Sequence, residues 1–202
     1  MCCVSNLARR TLALLCLVAL SPLMAALALA LMLTLGRPVI FRQWRAGRGG
    51  AAFALCKFRT MRQPRFDGEP DEARLTRLGR WLRRSSLDEL PGLWNIVRGE
   101  MHFVGPRPLP LAYLPRYSAE QQRRHLVPPG VTGWAQVHGR NALDWPTRLQ
   151  LDVWYVDHHN WRLDLLILWR TIWVVLGGVG IGSPGQATGE EFRGQQETGE
   201  SS

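Results

Sequence analysis

Residues 11–35 read TLALLCLVALSPLMAALALALMLTL, 25 consecutive positions without a charge and with Ser21-Pro22 near the middle. As a straight helix at about 1.5 Å per residue the run would be about 37 Å long. The hydrocarbon core is about 30 Å thick, so the run is long enough to cross a bilayer. Pro22 has no N–H, so it leaves the Val18 carbonyl without its helical partner and crowds it. Ser21 is expected to repair part of the damage by bonding back to the Leu17 carbonyl. Two readings follow: a kinked spanning helix, which bilayers tolerate, or a segment that breaks at mid-depth and returns to the same side. Arg9 and Arg10 precede the run, and Arg37, Arg42, Arg45 and Arg48 follow it. Basic residues mark the cytoplasmic side. Basic flanks at both ends therefore suit a re-entrant hairpin, and on either reading the Arg-rich remainder is cytoplasmic. The run is longer than a signal-peptide core, which argues against cleavage.

The remaining residues, about 165, suffice for one domain with a real core. The formal charge is +9, and Lys57 is the only lysine. A basic chain at a membrane surface is drawn to anionic headgroups or phosphate-bearing ligands. No zinc finger, recognition-helix pattern or aromatic-interleaved RNA motif is present, which argues against nucleic acid as a partner. Cys2, Cys3, Cys16 and Cys56 form neither a metal-spaced pair nor a disulfide framework.

Outward from the apolar run, Pro38–Ala46 and Ala51–Met61 read as strands around the turn signal Gly47-Arg48-Gly49-Gly50. The spacing of Leu75, Leu78, Trp81 and Leu82 predicts a helix over 73–84, and another is expected over 86–98. Gly105-Pro106-Arg107-Pro108 must be extended or turning. A helix is expected over 109–127, a short strand over 131–137, and helices over 147–158 and 162–176. The last is too short to span. Trp161, Trp169 and Trp173 suit a helix lying in the headgroup region, and a buried core helix is the alternative. From Gly177 on, Gly, Gln, Glu and Ser dominate and the tail reads as disordered. The fold class expected is α+β, mostly helical. It divides into a membrane anchor over 1–36, a cytoplasmic domain over 37–180 and a disordered tail over 181–202.

Three clusters could carry chemistry. In Ser85-Ser86-Leu87-Asp88-Glu89-Leu90-Pro91, adjacent carboxylates follow Arg80, Arg83 and Arg84 at a helix start. An Asp kept ionised there by guanidinium groups could attack phosphorus or hold Mg²⁺. The competing reading is structural, because Ser86-x-x-Glu89 has the form of a capping box. In Gly105-Pro106-Arg107-Pro108, prolines fix the backbone on each side of an Arg suited to a phosphate or a base edge. Lys57-Phe58-Arg59-Thr60-Met61 closes the hairpin with the only lysine. The five histidines show no metal-ligand pattern, and neither Gly-x-Gly-x-x-Gly nor a Walker loop is present.

Taken together, these segments resemble the bacterial sugar transferases, the monotopic polyprenyl-phosphate phosphoglycosyl transferases of the small single-domain type. The resemblance runs from Ser21-Pro22 through Pro38 to Gln43, Lys57 to Met61, Ser86 to Pro91, Asn95 to Pro108 (NIVRGEMHFVGPRP), Pro129 to Trp134 and Asp152 to Asp164. It implies transfer of a sugar 1-phosphate from a UDP-sugar to polyprenyl phosphate with release of UMP, at the cytoplasmic face of the bacterial inner membrane. It further implies that Asp88 is the nucleophile and a Mg²⁺ ligand, and that Glu89 orients the metal site or handles protons. Arg107, between Pro106 and Pro108, would contact the nucleotide, while Lys57, Arg59 and Arg83 would line the site. The anchor would be re-entrant at Ser21-Pro22, lipid would be a partner, and a homodimer is compatible. Gly92 and Trp94 depart from the residues expected beside the dyad, which bears on substrate choice. Two other classes compete: an inactive membrane-anchored scaffold, and a glycosidase, for which adjacent carboxylates are poorly placed.

Overall fold

The computed structural model describes residues 2–139, 142–177 and 191–194. The architecture is α+β and mostly helical, as expected. Helix α1, Cys2–Leu35, runs through Pro22 without interruption. Ser21 Oγ donates to the Val18 carbonyl at 2.7 Å, not to Leu17 as expected. Val18 is three residues before Ser21 and four before Pro22, so the hydroxyl satisfies the very acceptor that proline strands. That bond, worth about 0.5–1.5 kcal/mol, offsets part of a proline cost of about 3 kcal/mol.

One stripe of α1 packs on the rest of the chain at both ends. Ala13 joins Phe53, Leu55, Leu93, Ile96 and Met101 in one core cluster, and Leu27 and Leu31 join Phe58 and Leu82 in another. Along the helix those contacts lie about 27 Å apart. Arg10 Nε donates to the Val97 carbonyl at 2.6 Å, and Arg9 reaches His102 Nδ1 at 3.3 Å and Asp164 at 3.8 Å. The opposite face, with Leu12, Leu15, Val18 and Leu33, is exposed. Arg59 was expected to line the site. Instead its guanidinium donates to the carbonyls of Leu35 and Gly36, where a cation complements the helix C-terminus.

The hairpin is as read: β1, Ile40–Ala46, pairs antiparallel with β2, Ala52–Phe58, in the register Ile40↔Phe58 to Ala46↔Ala52. The helix expected over 73–84 is two pieces, α2 (Asp71–Arg74) and α3 (Arg77–Arg84). Thr76 interrupts it by capping Gly79 N, and Leu75 bridges to Met61. Gly79 lets α3 lie on the strand end, because a Cβ there would stand 2.0 Å from the Thr60 carbonyl oxygen. The helix expected over 86–98 is a 3-10 segment, Leu87–Gly92, followed by α4, Leu93–Arg98. No capping box forms at Ser86, whose φ is +56°. A capping residue needs extended backbone.

A second, parallel pair joins β3, His102–Val104, to β4, Gly130–Thr132. The helix expected over 109–127 is instead a 3-10 turn, Leu111–Arg116, then α5, Ala119–Gln122, then a 3-10 turn, Arg123–His125. Pro115 and the Ser118–Gln121 capping box divide it. The strand expected over 131–137 ends at Thr132, and α6, Trp134–Val137, follows Gly133. Helices α7, Trp145–His158, and α8, Trp161–Gly177, match expectation. Only Ile167 of α8 is buried, while Trp161, Leu165, Trp169, Ile172, Trp173 and Leu176 are exposed. This excludes the core-helix alternative.

Most of the tail read as disordered lies outside the described residues. Its described part, 191–194, corrects that reading. Phe192 is 3% exposed among Leu109, Tyr113, Tyr117 and Leu149. Its ring stacks on Tyr117 with centroids 5.3 Å apart, and Arg116 holds Glu191 at 2.7 Å. Composition pointed to disorder, but one aromatic anchor buried in an apolar cluster outweighs it.

Candidate active site

The site forms where β2, the turn at 87–92 and the loop after β3 meet. Asn95, 1% exposed, sets their spacing. Its side chain accepts from Cys56 N at 3.0 Å and donates to the Ala54 carbonyl at 2.8 Å and to Glu100 Oε2 at 2.7 Å. In effect α4 pairs with the free edge of β2 through one amide. The turn before α4 is thereby held over Lys57.

The glutamate of the dyad is clamped. Glu89 Oε1 accepts from Lys57 Nζ at 2.7 Å and from Arg107 Nη2 at 2.9 Å. Those cations hold its carboxyl well below the usual carboxylate range against the opposing effect of burial. Asp88 differs. It is 8% exposed, and among the described residues its carboxylate makes no hydrogen bond or ion pair. Burial first, and then the Glu89 charge, raise its pKa, while Lys57, Arg83 and Arg107 oppose the rise. The sequence suggested that the arginines would dominate at Asp88, but desolvation wins there. Two neighbouring carboxyls thus have environments that push them apart, as acid–base and nucleophilic sites require. The preceding Ser86 sits at φ +56°, a costly conformation for a residue with a Cβ.

Arg83 lies on the Asp88 side, with Nε donating to Thr60 Oγ1 at 2.9 Å. The Gly105–Pro108 loop is non-helical and bends at Gly105-Pro106, within the extended-or-turning reading. The Pro106 carbonyl accepts from Gly130 N at 3.0 Å. A Cβ on Gly130 would stand 2.1 Å from Gly105 N, so only glycine allows this approach. Behind Arg107, Arg124 Nη2 donates to the Arg107 carbonyl at 2.7 Å and to Asp152 Oδ2 at 2.7 Å. Both members of that pair are buried, and Asp152 Oδ1 has no partner among the described residues. A pocket beside the clamp is lined by Arg45, Cys56, Lys57, Glu89, Gly92, Met101 and Arg107. Asp88 stands next to it and not on its wall. Gly92 therefore fronts the pocket, whereas Trp94 is exposed.

The structure thus brings together Lys57, Asp88, Glu89, Arg83 and the Pro106–Pro108 loop, and leaves Arg59 at the anchor. Sequence reasoning missed Asn95 and Asp152, whose only signal was polarity beside apolar neighbours, and Arg124, one of several charges in the run Ser118 to His125. It also missed Arg45, taken only as a flanking charge.

No group of three or more His, Cys, Asp or Glu side chains suited to a metal occurs among the described residues. An uncommitted carboxylate is nevertheless the right donor for Mg²⁺, which takes one or two carboxylates and completes its shell with substrate phosphates and water. The residues fit that mode, and Asp88 is the carboxylate that would serve as ligand.

The chain belongs to the bacterial sugar transferase family, whose model matches residues 3–178. It is 50% identical over 166 residues to EpsL of Bacillus subtilis (strain 168), an uncharacterized sugar transferase, covering 80% of this chain and 82% of that protein. It is 39% identical over 182 residues to the UDP-glucose:undecaprenyl-phosphate glucose-1-phosphate transferase of Xanthomonas campestris pv. campestris, covering 83% of this chain and 38% of the relative. To the undecaprenyl-phosphate galactose phosphotransferase of Salmonella typhimurium (strain LT2) it is 40% identical over 163 residues, covering 70% and 34%. It thus spans most of EpsL and little more than a third of the other two.

Proposed function

We propose that the chain transfers a sugar 1-phosphate from a UDP-sugar to polyprenyl phosphate in two displacements. An Asp88 carboxylate oxygen attacks the sugar-linked phosphorus. The bond to the bridging oxygen breaks, and UMP leaves with the electron pair. A phosphate oxygen of the polyprenyl phosphate then attacks the same phosphorus, returning the carboxylate and yielding a polyprenyl diphosphosugar. The observation that carries this reading is the contrast within the dyad: Glu89 is clamped by Lys57 and Arg107, while Asp88 beside it has no partner among the described residues. Lys57 and Arg107 would meet the donor's phosphates as a point charge and a planar fork, and Glu89 holds both in place. Mg²⁺, held by Asp88, would supply charge neutralisation on the diphosphate.

The same reading places the chain at the cytoplasmic face of the bacterial inner membrane, with α1 re-entrant. Support comes from the two ends of α1, which meet one and the same domain. A helix lying along the domain keeps both contacts on one side of the membrane, whereas a span would carry the Arg9 end about 30 Å through the bilayer, away from a domain on the cytoplasmic face. The exposed apolar residues of α8 would enter the headgroup region. The test is intact mass after incubation with a panel of UDP-sugars and no acceptor. A gain of one phosphosugar, absent in Asp88→Asn, is expected. UMP release with no adduct would overturn the two-step mechanism, and no UMP from any donor would favour a scaffold.

A further inference from the structure

The chemistry above gives work to Lys57, Glu89 and Arg107 and leaves one cation of the pocket wall without any. Arg45, in β1, lines the same pocket. Its Nη2 donates to Gln43 Oε1 at 2.5 Å and its Nη1 to the Pro108 carbonyl at 3.4 Å, while its Nε is buried without a partner among the described residues. Unlike Lys57 and Arg107, it makes no ion pair among the described residues. An unmet donor on a desolvated cation is costly.

The neighbourhood adds to the cost. Three cations face the pocket, and the one carboxylate on its wall, Glu89, already shares a single oxygen between two of them. Burial, and next the Arg107 charge, lower the Arg45 pKa to about 10. The two guanidinium groups cannot drift apart. Ala46 N donates to the Leu109 carbonyl at 3.0 Å and Arg45 bridges to Pro110, so β1 is fastened to the loop that carries Arg107. A fold that pins like charges together around a cleft and leaves a donor unmet is built for an anion.

We propose that Arg45 is a phosphate-binding residue which, with Arg107 and Lys57, forms a site for phosphoryl oxygens in this pocket. The proposal rests on the phosphoryl-transfer reading. The anion is either the diphosphate of the nucleotide donor or the phosphate of the lipid acceptor, and the arms of the test separate them.

The full chain in detergent is titrated with UDP and, separately, with undecaprenyl phosphate, reading the thermal unfolding midpoint for wild type, Arg45→Gln and Arg45→Lys. Arg45→Gln removes a repulsive charge, so its ligand-free midpoint should equal or exceed that of wild type. Its apparent affinity should fall at least about tenfold for one ligand, and that ligand names the source. Arg45→Lys keeps the charge without the fork and should fall between. Wild-type affinity for both ligands in Arg45→Gln would overturn the proposal. Should that variant not fold, Arg45→Lys decides: threefold or more weakening for one ligand supports the site, and unchanged binding of both refutes it. UMP release by wild type is scored in parallel. Its absence alongside Arg45-dependent UDP binding would sink the transferase reading and leave the phosphate site standing.

Discussion

Asp152→Asn should be among the more damaging single changes outside the dyad. The Arg124–Asp152 pair is buried, with side chains 1% and 2% exposed. Burial raises the Asp152 carboxyl pKa and the Arg124 guanidinium works against the rise. Removing the acid's charge leaves a buried cation uncompensated, at a cost of about 3–5 kcal/mol. At about 2–4 °C per kcal/mol for a chain of this size, the unfolding midpoint should fall by about 6–20 °C. The double variant Arg124→Met, Asp152→Leu removes both charges and the orphaned Oδ1 together. Its stability should return to within about 1 kcal/mol of wild type. It also removes the donor to the Arg107 carbonyl, so UMP release should stay impaired, chiefly through a higher KM for the donor. Thermal unfolding in detergent and initial rates over a donor series measure both quantities. A stable Asp152→Asn, or a double variant with wild-type KM, would refute the reasoning.

Asp88→Asn should abolish turnover while leaving the unfolding midpoint equal or higher, because the ionised group is buried next to Glu89. Its raised pKa sets two opposite pH trends. Turnover should be lost as pH falls through a value above the ordinary 3.8, since the nucleophile must be ionised. The stability that Asp88 contributes is present at low pH and lost as pH rises through the same value, a loss missing in Asp88→Asn. Chelation should stop UMP release and added Mg²⁺ restore it, and full activity in excess chelator would exclude metal assistance. Cysteines placed near Arg9 and near Arg48 in intact spheroplasts should be reachable only from the cytoplasm. Periplasmic labelling of the first site would establish a span.

Local patterns were legible where one element carried them. The hairpin showed in its glycine turn, α7 and α8 in their helical segments, and the dyad and Arg107 in short motifs. What stayed hidden depended on contacts distant in sequence. Nothing local says that Glu89 will be taken by Lys57 and Arg107, or that Ser86 will turn left-handed and so form no capping box. Asn95 reads as a polar residue in a short helix until β2 lies beside it. Arg59 reads as a site residue until the end of α1 arrives beneath it. Desolvation at Asp88 is a property of the packed turn, so counting nearby arginines gave the wrong sign.

The docking of Phe192 also imposes an order on biosynthesis. Its aromatic surroundings at Tyr113, Tyr117 and Trp145 are complete by Leu149, 43 positions before the phenylalanine is added. At about 5–20 residues per second the ribosome needs about 2–9 s to cover that distance. During that interval the cluster is open on one side, while α1 has long since left the ribosome. Tyr117 lies under the Arg124 guanidinium, 5.7 Å from the ring centroid, and Arg124 braces the Arg107 carbonyl. A nascent chain would therefore present its apolar N-terminal helix before the aromatic cluster next to Arg124 is closed.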